Sequence, residues 1–215
     1  MTRRSGRLFT AVLVLGTAAC VDSPSAPSSV NVPAGAPNAM VAINHMAPDS
    51  TSATFTVNPN GGMFSMGPHH VYFPARAICD PAKSTYGTTE WDKPCEPLSG
   101  SISVKAEVRV TGGVPWVFFT PNLRFVPSSY SSRWVWLYLE TRRPITAADV
   151  DRFTILWFSE SGAEPVDESL SDPTLVTHIW PEVGLVYRRI KHFSGYQVHD
   201  GRASSDDVVG DVLTF

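Results

Sequence analysis

The amino-acid sequence predicts an all-β fold and, within that class, an antiparallel β-sandwich. Three observations carry this. Residues 101–110, SISVKAEVRV, alternate strictly: Ile102, Val104, Ala106, Val108 and Val110 share one face, while Ser103, Lys105, Glu107 and Arg109 share the other. That is the pattern of a strand with one buried and one wet face. Many short apolar runs are separated by turn-forming stretches such as Asn58-Pro59-Asn60-Gly61-Gly62, Pro127-Ser128-Ser129 and Pro181-Glu182-Val183-Gly184, the spacing of a sandwich or barrel. Of the 215 residues, 43% are hydrophobic and 17% charged, which supplies a core and excludes a coiled coil, a collagen-like chain or wholesale disorder.

In chain order, the first element is a leader. MTRRSGRLFTAVLVLGTAAC sets Arg3, Arg4 and Arg7 before an apolar run from Leu8 to Leu15 that gives way to small residues. This reads as a secretory signal over residues 1–19, its apolar run too short to span a bilayer. It resembles a bacterial lipoprotein signal, which implies that Cys20 becomes the lipidated first residue of the mature chain. Ala18 and Ala19 match the two positions before that cysteine, whereas Thr17 departs from the usual Leu or Val. Ordinary cleavage near Ala18 stays open as an alternative. Arg3-Arg4 also invites a twin-arginine reading, although the rest of that pattern is missing. Residues 20–39 then form the lipidated cysteine and a tether: 21–39 contain four Pro, four Ser, four Ala and no aromatic residue, so they have no apolar face to bury. Loss of the leader arginines leaves 14 basic against 20 acidic residues, or −6, a sign that disfavours nucleic-acid binding.

The folded part is residues 40–215. Besides 101–110, strands are predicted at Ser52–Val57, Met63–Ser65, His69–Phe73, Pro115–Phe119, Arg133–Glu140, Phe153–Ser159, Leu175–Trp180, Leu185–Phe193 and Tyr196–His199. The stretch Phe153–Ser159 is apolar on both faces, which favours burial of neighbouring strands. Thr146–Val150 alone looks helical, with Thr146 as cap and Asp149 completing a capping-box pattern.

Three stretches then carry a family resemblance. Gly61-Gly62-Met63-Phe64-Ser65-Met66-Gly67 continues through His69-His70-Val71-Tyr72-Phe73-Pro74-Ala75; Phe118-Phe119-Thr120-Pro121-Asn122-Leu123-Arg124-Phe125 follows; His192-Phe193-Ser194-Gly195-Tyr196 closes the series. Together they resemble the ZU-five domain, a β-sandwich module of ankyrins, netrin receptors and many bacterial secreted proteins. The resemblance covers about residues 60–199; Cys79–Cys95 looks like an insertion, and residues 200–215 lie outside it. It implies a scaffold for protein interaction. In some members the chain also breaks between the Phe and Ser of the final stretch, which implies His192, Phe193 and Ser194 as the corresponding positions here.

Cys79 and Cys95 bracket fifteen residues, DPAKSTYGTTEWDKP. In an exported chain they read as a disulfide; the rival is a metal site drawn from His69, His70, Cys79, Asp80 and Cys95. That rival is disfavoured because adjacent histidines on a strand point to opposite faces and the spacing matches no zinc pattern. No metal or other cofactor is called for. Trp134, Trp136 and Tyr138 form an aromatic stripe opposite Val135, Leu137 and Leu139, either a carbohydrate-stacking face or the second buried face of a central strand. Glu160, Glu164, Asp167, Glu168 and Asp172 fall in a Ser/Pro/Gly-containing stretch and read as a solvated surface. No G-x-S-x-G, H-E-x-x-H, Walker or G-x-G-x-x-G sequence occurs.

The expectation is a non-enzymatic lipoprotein of the bacterial cell envelope, held to the membrane through its N-terminal lipid. Its sandwich would bind an envelope protein or a polysaccharide. The alternatives are a carbohydrate-binding module or a self-cleaving domain. In the latter, Ser194 would attack the Phe193 carbonyl, with His192 on the same strand face or His178 on the preceding hairpin strand taking the proton. Gly195 would permit a kink that strains the bond.

Overall fold

A computed structural model describes residues 49–159 and 164–201. The leader, Cys20, the tether, Glu160 and the residues after Gly201 lie outside the described residues.

Among the described residues there are ten strands: β1 Ser50–Val57, β2 Gly62–Met66, β3 His69–Phe73, β4 Ile102–Thr111, β5 Val114–Thr120, β6 Val135–Glu140, β7 Thr154–Phe158, β8 His178–Trp180, β9 Leu185–Ile190 and β10 Gly195–His199. They form two five-stranded antiparallel sheets, ordered β1-β4-β5-β10-β7 and β2-β3-β6-β9-β8. The all-β sandwich is the observed architecture. No helix among the described residues is long and apolar enough to cross a membrane.

Local chemistry accounts for the departures from the predicted elements. The run Leu175–Trp180 is a strand only from His178. Before it, Pro173–Leu175 forms a 3-10 turn, with Pro at its start and the Asp172 carboxylate accepting from the Thr174 N–H at 2.9 Å. The segment Thr146–Val150 is a turn leading into a 3-10 turn at Val150–Arg152, rather than a helix. The expected capping box does not form: Thr146 Oγ1 donates to the Asp149 side chain, Oδ2 at 2.7 Å, and the Asp149 N–H to the Thr146 carbonyl at 2.9 Å.

The alternation of β4 sets one wall of the core. Val104, Ala106 and Val108 are buried in one cluster with Val71, Phe73, Leu137 and Val186 of the other sheet, while Lys105 and Glu107 pair on the outer face. Phe55 of β1 stacks on Phe64 of β2 at 4.7 Å and joins the two sheets at one edge. A second, smaller cluster gathers Trp136, Tyr138, Leu185 and Tyr187 on the other face of β6 and β9. Cys79 and Cys95 form a disulfide, Cα to Cα 5.6 Å.

Two glycines are fixed by geometry. Gly61 sits at φ +72°, where a Cβ would stand 2.2 Å from the Phe73 carbonyl oxygen. Gly195 has no left-handed φ and supplies no kink. It lies in β10 between Phe118 and Phe158, and a Cβ there would meet the Phe158 ring at 2.3 Å. That ring is already held edge-on by Phe118 at 4.7 Å. Gly195→Ala should therefore overpack the sheet and lower unfolding stability by about 1–3 kcal/mol, measured by urea denaturation; an unchanged midpoint would contradict this packing.

Candidate active site

The last stretch of the family resemblance is where the chain changes sheets. From β9 it crosses through Lys191–Ser194 into β10 in the opposite sheet. Backbone bonds hold the crossing on one side. Phe125 N–H donates to the Lys191 carbonyl at 2.9 Å, Phe193 N–H to the Leu123 carbonyl at 2.6 Å, and Phe119 N–H to the Ser194 carbonyl at 3.0 Å. The Phe193 ring enters the core, stacked on Phe119 at 4.0 Å and edge-on to Phe73 and Phe125.

Residues two apart on extended chain share a face, and His192 and Ser194 do so here. Ser194 Oγ lies 3.2 Å from His192 Nδ1. It also accepts a hydrogen bond from Trp157 Nε1 of β7 at 2.6 Å. His192 Nε2 stands 3.2 Å from Glu168 Oε1, and the other Glu168 oxygen pairs with the Arg188 guanidinium. Arg188 is fully buried, donates to the Ile155 carbonyl at 2.7 Å, and lies over the Tyr196 ring.

The contacts assign the imidazole tautomer. A carboxylate on Nε2 requires Nε2–H, which leaves Nδ1 as an acceptor. Three hydroxyls lie near Nδ1. Tyr86 Oη gives its hydrogen to the Phe193 carbonyl at 2.6 Å, and Tyr196 Oη gives its own to the His192 carbonyl at 2.7 Å. Ser194 is left to donate to Nδ1. Burial pushes the His192 imidazole down from its ordinary value, against the pull of Glu168, so it stands neutral and able to accept a proton. Burial pushes the Glu168 carboxyl up, but the His192 hydrogen bond and Arg188 outweigh this and hold it below its ordinary value.

Two residues of the disulfide-closed loop cover the site. The Trp91 ring stacks on the His192 imidazole at 3.6 Å with an interplanar angle of 14°. Tyr86 lies above the Phe193 carbonyl and is 39% exposed. The loop is clasped by Arg124, which donates to the Glu90 and Lys93 carbonyls.

Of the residues read from the sequence, His192, Phe193 and Ser194 come together in one site, whereas His178 does not join them. Its ring packs on Tyr187 at 5.3 Å and Trp136 at 5.9 Å. Tyr187 and Arg188 are successive on β9 and point to opposite faces, so His178 is on the face turned away from Glu168. Glu168 is buried, not solvated. Trp136 is fully buried and Tyr138 nearly so; Trp134 is half-buried beneath the Arg189 guanidinium. An open sugar-stacking platform is therefore lacking at Trp136 and Tyr138. The disulfide removes both thiolates from the metal alternative. His69 accepts from the Glu140 N–H and His70 bonds Ser65. Among the described residues no group of three or more His, Cys, Asp or Glu could hold a metal ion. Cys20 lies outside the described residues.

Comparison of the chain with protein-family models, curated proteins and solved structures finds no match.

Two buried histidines, His69 and His192, and two half-buried ones, His70 and His178, give the domain an acid limit. Burial, aided by the charges of His70 and Arg142, lowers His69 from 6.5 to about 3; burial also lowers His70, His178 and His192. The unfolded chain takes up these protons as pH falls below 6.5, before the folded chain does. Their contribution is thus present above that pH and is lost as pH falls toward the folded values. Each such histidine costs about 1.4 kcal/mol per pH unit within its window. Urea midpoints should therefore be lower near about pH 5.5 than near about pH 7.5, and equal midpoints would contradict this reading.

Proposed function

We propose that this domain cleaves its own chain between Phe193 and Ser194. We propose further that a lipid at Cys20 and the Pro/Ser/Ala tether display it on the bacterial cell envelope. The observation that carries the first proposal is the Ser194–His192–Glu168 relay, with Oγ 3.2 Å from Nδ1 and Nε2 3.2 Å from the carboxylate. A nucleophile, a base and a group orienting that base are the elements of an activated hydroxyl. The electrophile is the preceding carbonyl of the same chain, so no substrate needs to be recruited.

In this reading His192 Nδ1 takes the hydroxyl proton as Ser194 Oγ adds to the Phe193 carbonyl carbon. That proton passes to the Ser194 amide nitrogen and the C–N bond breaks. Phe193 is then joined to Ser194 Oγ as an ester, and Ser194 carries a free α-amine. Water opens the ester, leaving a Phe193 carboxylate and restoring the hydroxyl. Trp157 fixes the rotamer of Oγ and supports negative charge developing there. The resemblance to the ZU-five family, some of whose members break this bond, supports the same position. The broader role of a binding or structural module for an envelope protein or polysaccharide is compatible with it, because the cut leaves the sandwich in place.

Denaturing intact-mass analysis of the purified chain should find a fragment of residues 194–215. Ser194→Ala should abolish it, and Ser194→Cys, a better nucleophile, should retain it. Full-length chain alone after long incubation would refute the reaction. In native chromatography the two pieces should stay together, separating only in denaturant, because β10 is bonded on both sides by β5 and β7. The anchoring proposal has its own test: Cys20→Ala should release the protein from the membrane fraction, and unchanged fractionation would refute lipidation.

A further inference from the structure

The loop between Cys79 and Cys95 lies outside the family resemblance, yet it makes the closest contacts above the scissile bond. Tyr86 Oη donates to the Phe193 carbonyl oxygen at 2.6 Å and lies 3.3 Å from His192 Nδ1. Trp91, five residues on, stacks on the imidazole and meets Trp157 edge-on at 5.1 Å. One short segment thus touches the electrophile, covers the base, and packs on the ring that bonds the nucleophile.

From this geometry, and resting on the self-cleavage reading, we infer that Tyr86 is a catalytic residue: its phenol is the oxyanion donor for attack by Ser194. As Oγ adds, the carbonyl oxygen gains a full negative charge in a site where His192, Phe193 and Ser194 are buried. A hydroxyl already aimed at that oxygen stabilises the charge without reorganising. The phenol keeps its hydrogen throughout. It donates to the oxyanion and again to the ester carbonyl, so the proton balance stays between Ser194, His192 and the departing amide nitrogen.

The disulfide gives this donor a condition. Tyr86 stands on a loop that Cys79 and Cys95 close; the Arg124 clasp holds Glu90 and Lys93 of that loop but not Tyr86 itself, so its seat over the carbonyl tightens with the disulfide. Disulfides persist in oxidising compartments and not in the cytosol. Before oxidation the loop is held only by its other contacts, the Arg124 clasp among them, and cleavage is slow; after oxidation the donor is firmly seated and cleavage is fast. The cut is thereby timed to follow export, with no second protein required.

The test uses the full chain, made by cell-free synthesis under oxidising or reducing conditions. Denaturing intact-mass analysis follows the 194–215 fragment over time. Tyr86→Phe keeps the ring against Trp91 and loses only the donor; matching near-UV circular dichroism would establish that the fold is unchanged. Its cleavage rate should fall on the order of 10²-fold. Wild type under reducing conditions, and the Cys79→Ser/Cys95→Ser chain under oxidising ones, should be slowed comparably. Adding Tyr86→Phe to the double serine chain should change little, since the donor is already unseated. Cleavage of Tyr86→Phe at the wild-type rate would overturn the Tyr86 assignment and leave self-cleavage standing. Equal slowing by Tyr86→Phe with and without the disulfide would overturn the coupling between them. No fragment from oxidised wild type would overturn self-cleavage itself and this assignment with it.

Discussion

Burial of Phe193 is the constraint from which the site follows. The chain has only Lys191–Ser194 in which to pass from one sheet to the other, and it anchors that passage by placing the Phe193 ring among Phe73, Phe119 and Phe125. An aromatic ring buried there contributes several kcal/mol. It also carries its neighbours inward. His192 becomes fully buried and Ser194 nearly so, and buried polar groups are costly unless bonded. The interior answers with Trp157 on the hydroxyl, Glu168 on the imidazole and Arg188 on Glu168. Tyr86 and Tyr196 take the two carbonyls. Each partner is there because the residue before it could not be left unpaired.

That chain of dependence explains how far the site could be read in the sequence. The strands were legible because one-sided burial writes a period of two, as in β4, and because turn residues mark their ends. His192 and Ser194 were marked by the family resemblance, and being two apart on extended chain they were legible as sharing a face. Glu168 was not, because its surroundings are those of a solvated loop, and only the fold turns it inward. A signal did exist elsewhere. In β9, Val186, Arg188 and Ile190 share a face, so Arg188 interrupts an apolar row. A cation in such a position requires a buried anion. The same parity excludes His178, which pairs with Tyr187 across the hairpin and so shares its outward face. Tyr86 and Trp91 carried no signal at all. Nothing local to a loop closed by two cysteines states which surface it will cover.

The double use of β6 is legible for the same reason and was left open for another. Val135, Leu137 and Leu139 face the main core, and Trp136 and Tyr138 the smaller cluster. Alternation separates the two faces but cannot say whether the aromatic one is open. The deciding facts are tertiary: Tyr187 stacks on Tyr138, and Trp136 is enclosed with Tyr187 and His178.

Charge balance ties the buried network to the proposed chemistry. In the resting state the Arg188 cation faces the Glu168 anion, and His192 is neutral, so this interior site carries no net charge. Moving the Ser194 proton to Nδ1 as Oγ adds to the carbonyl creates an imidazolium and an oxyanion together. The site remains neutral, and only the separation of charge changes. In a low-dielectric interior that distinction decides the barrier, because creating a lone charge there is far more costly than creating a close pair. Glu168 already faces Nε2–H, and Tyr86 already faces the carbonyl oxygen, so each new charge arises beside a group oriented to receive it. Burial is the main reason the imidazole stands neutral and able to act as a base, and the Arg188 charge adds a smaller push in the same direction. The buried arginine thus does two things: it neutralises Glu168, and it adds to the burial that leaves His192 able to take a hydroxyl proton.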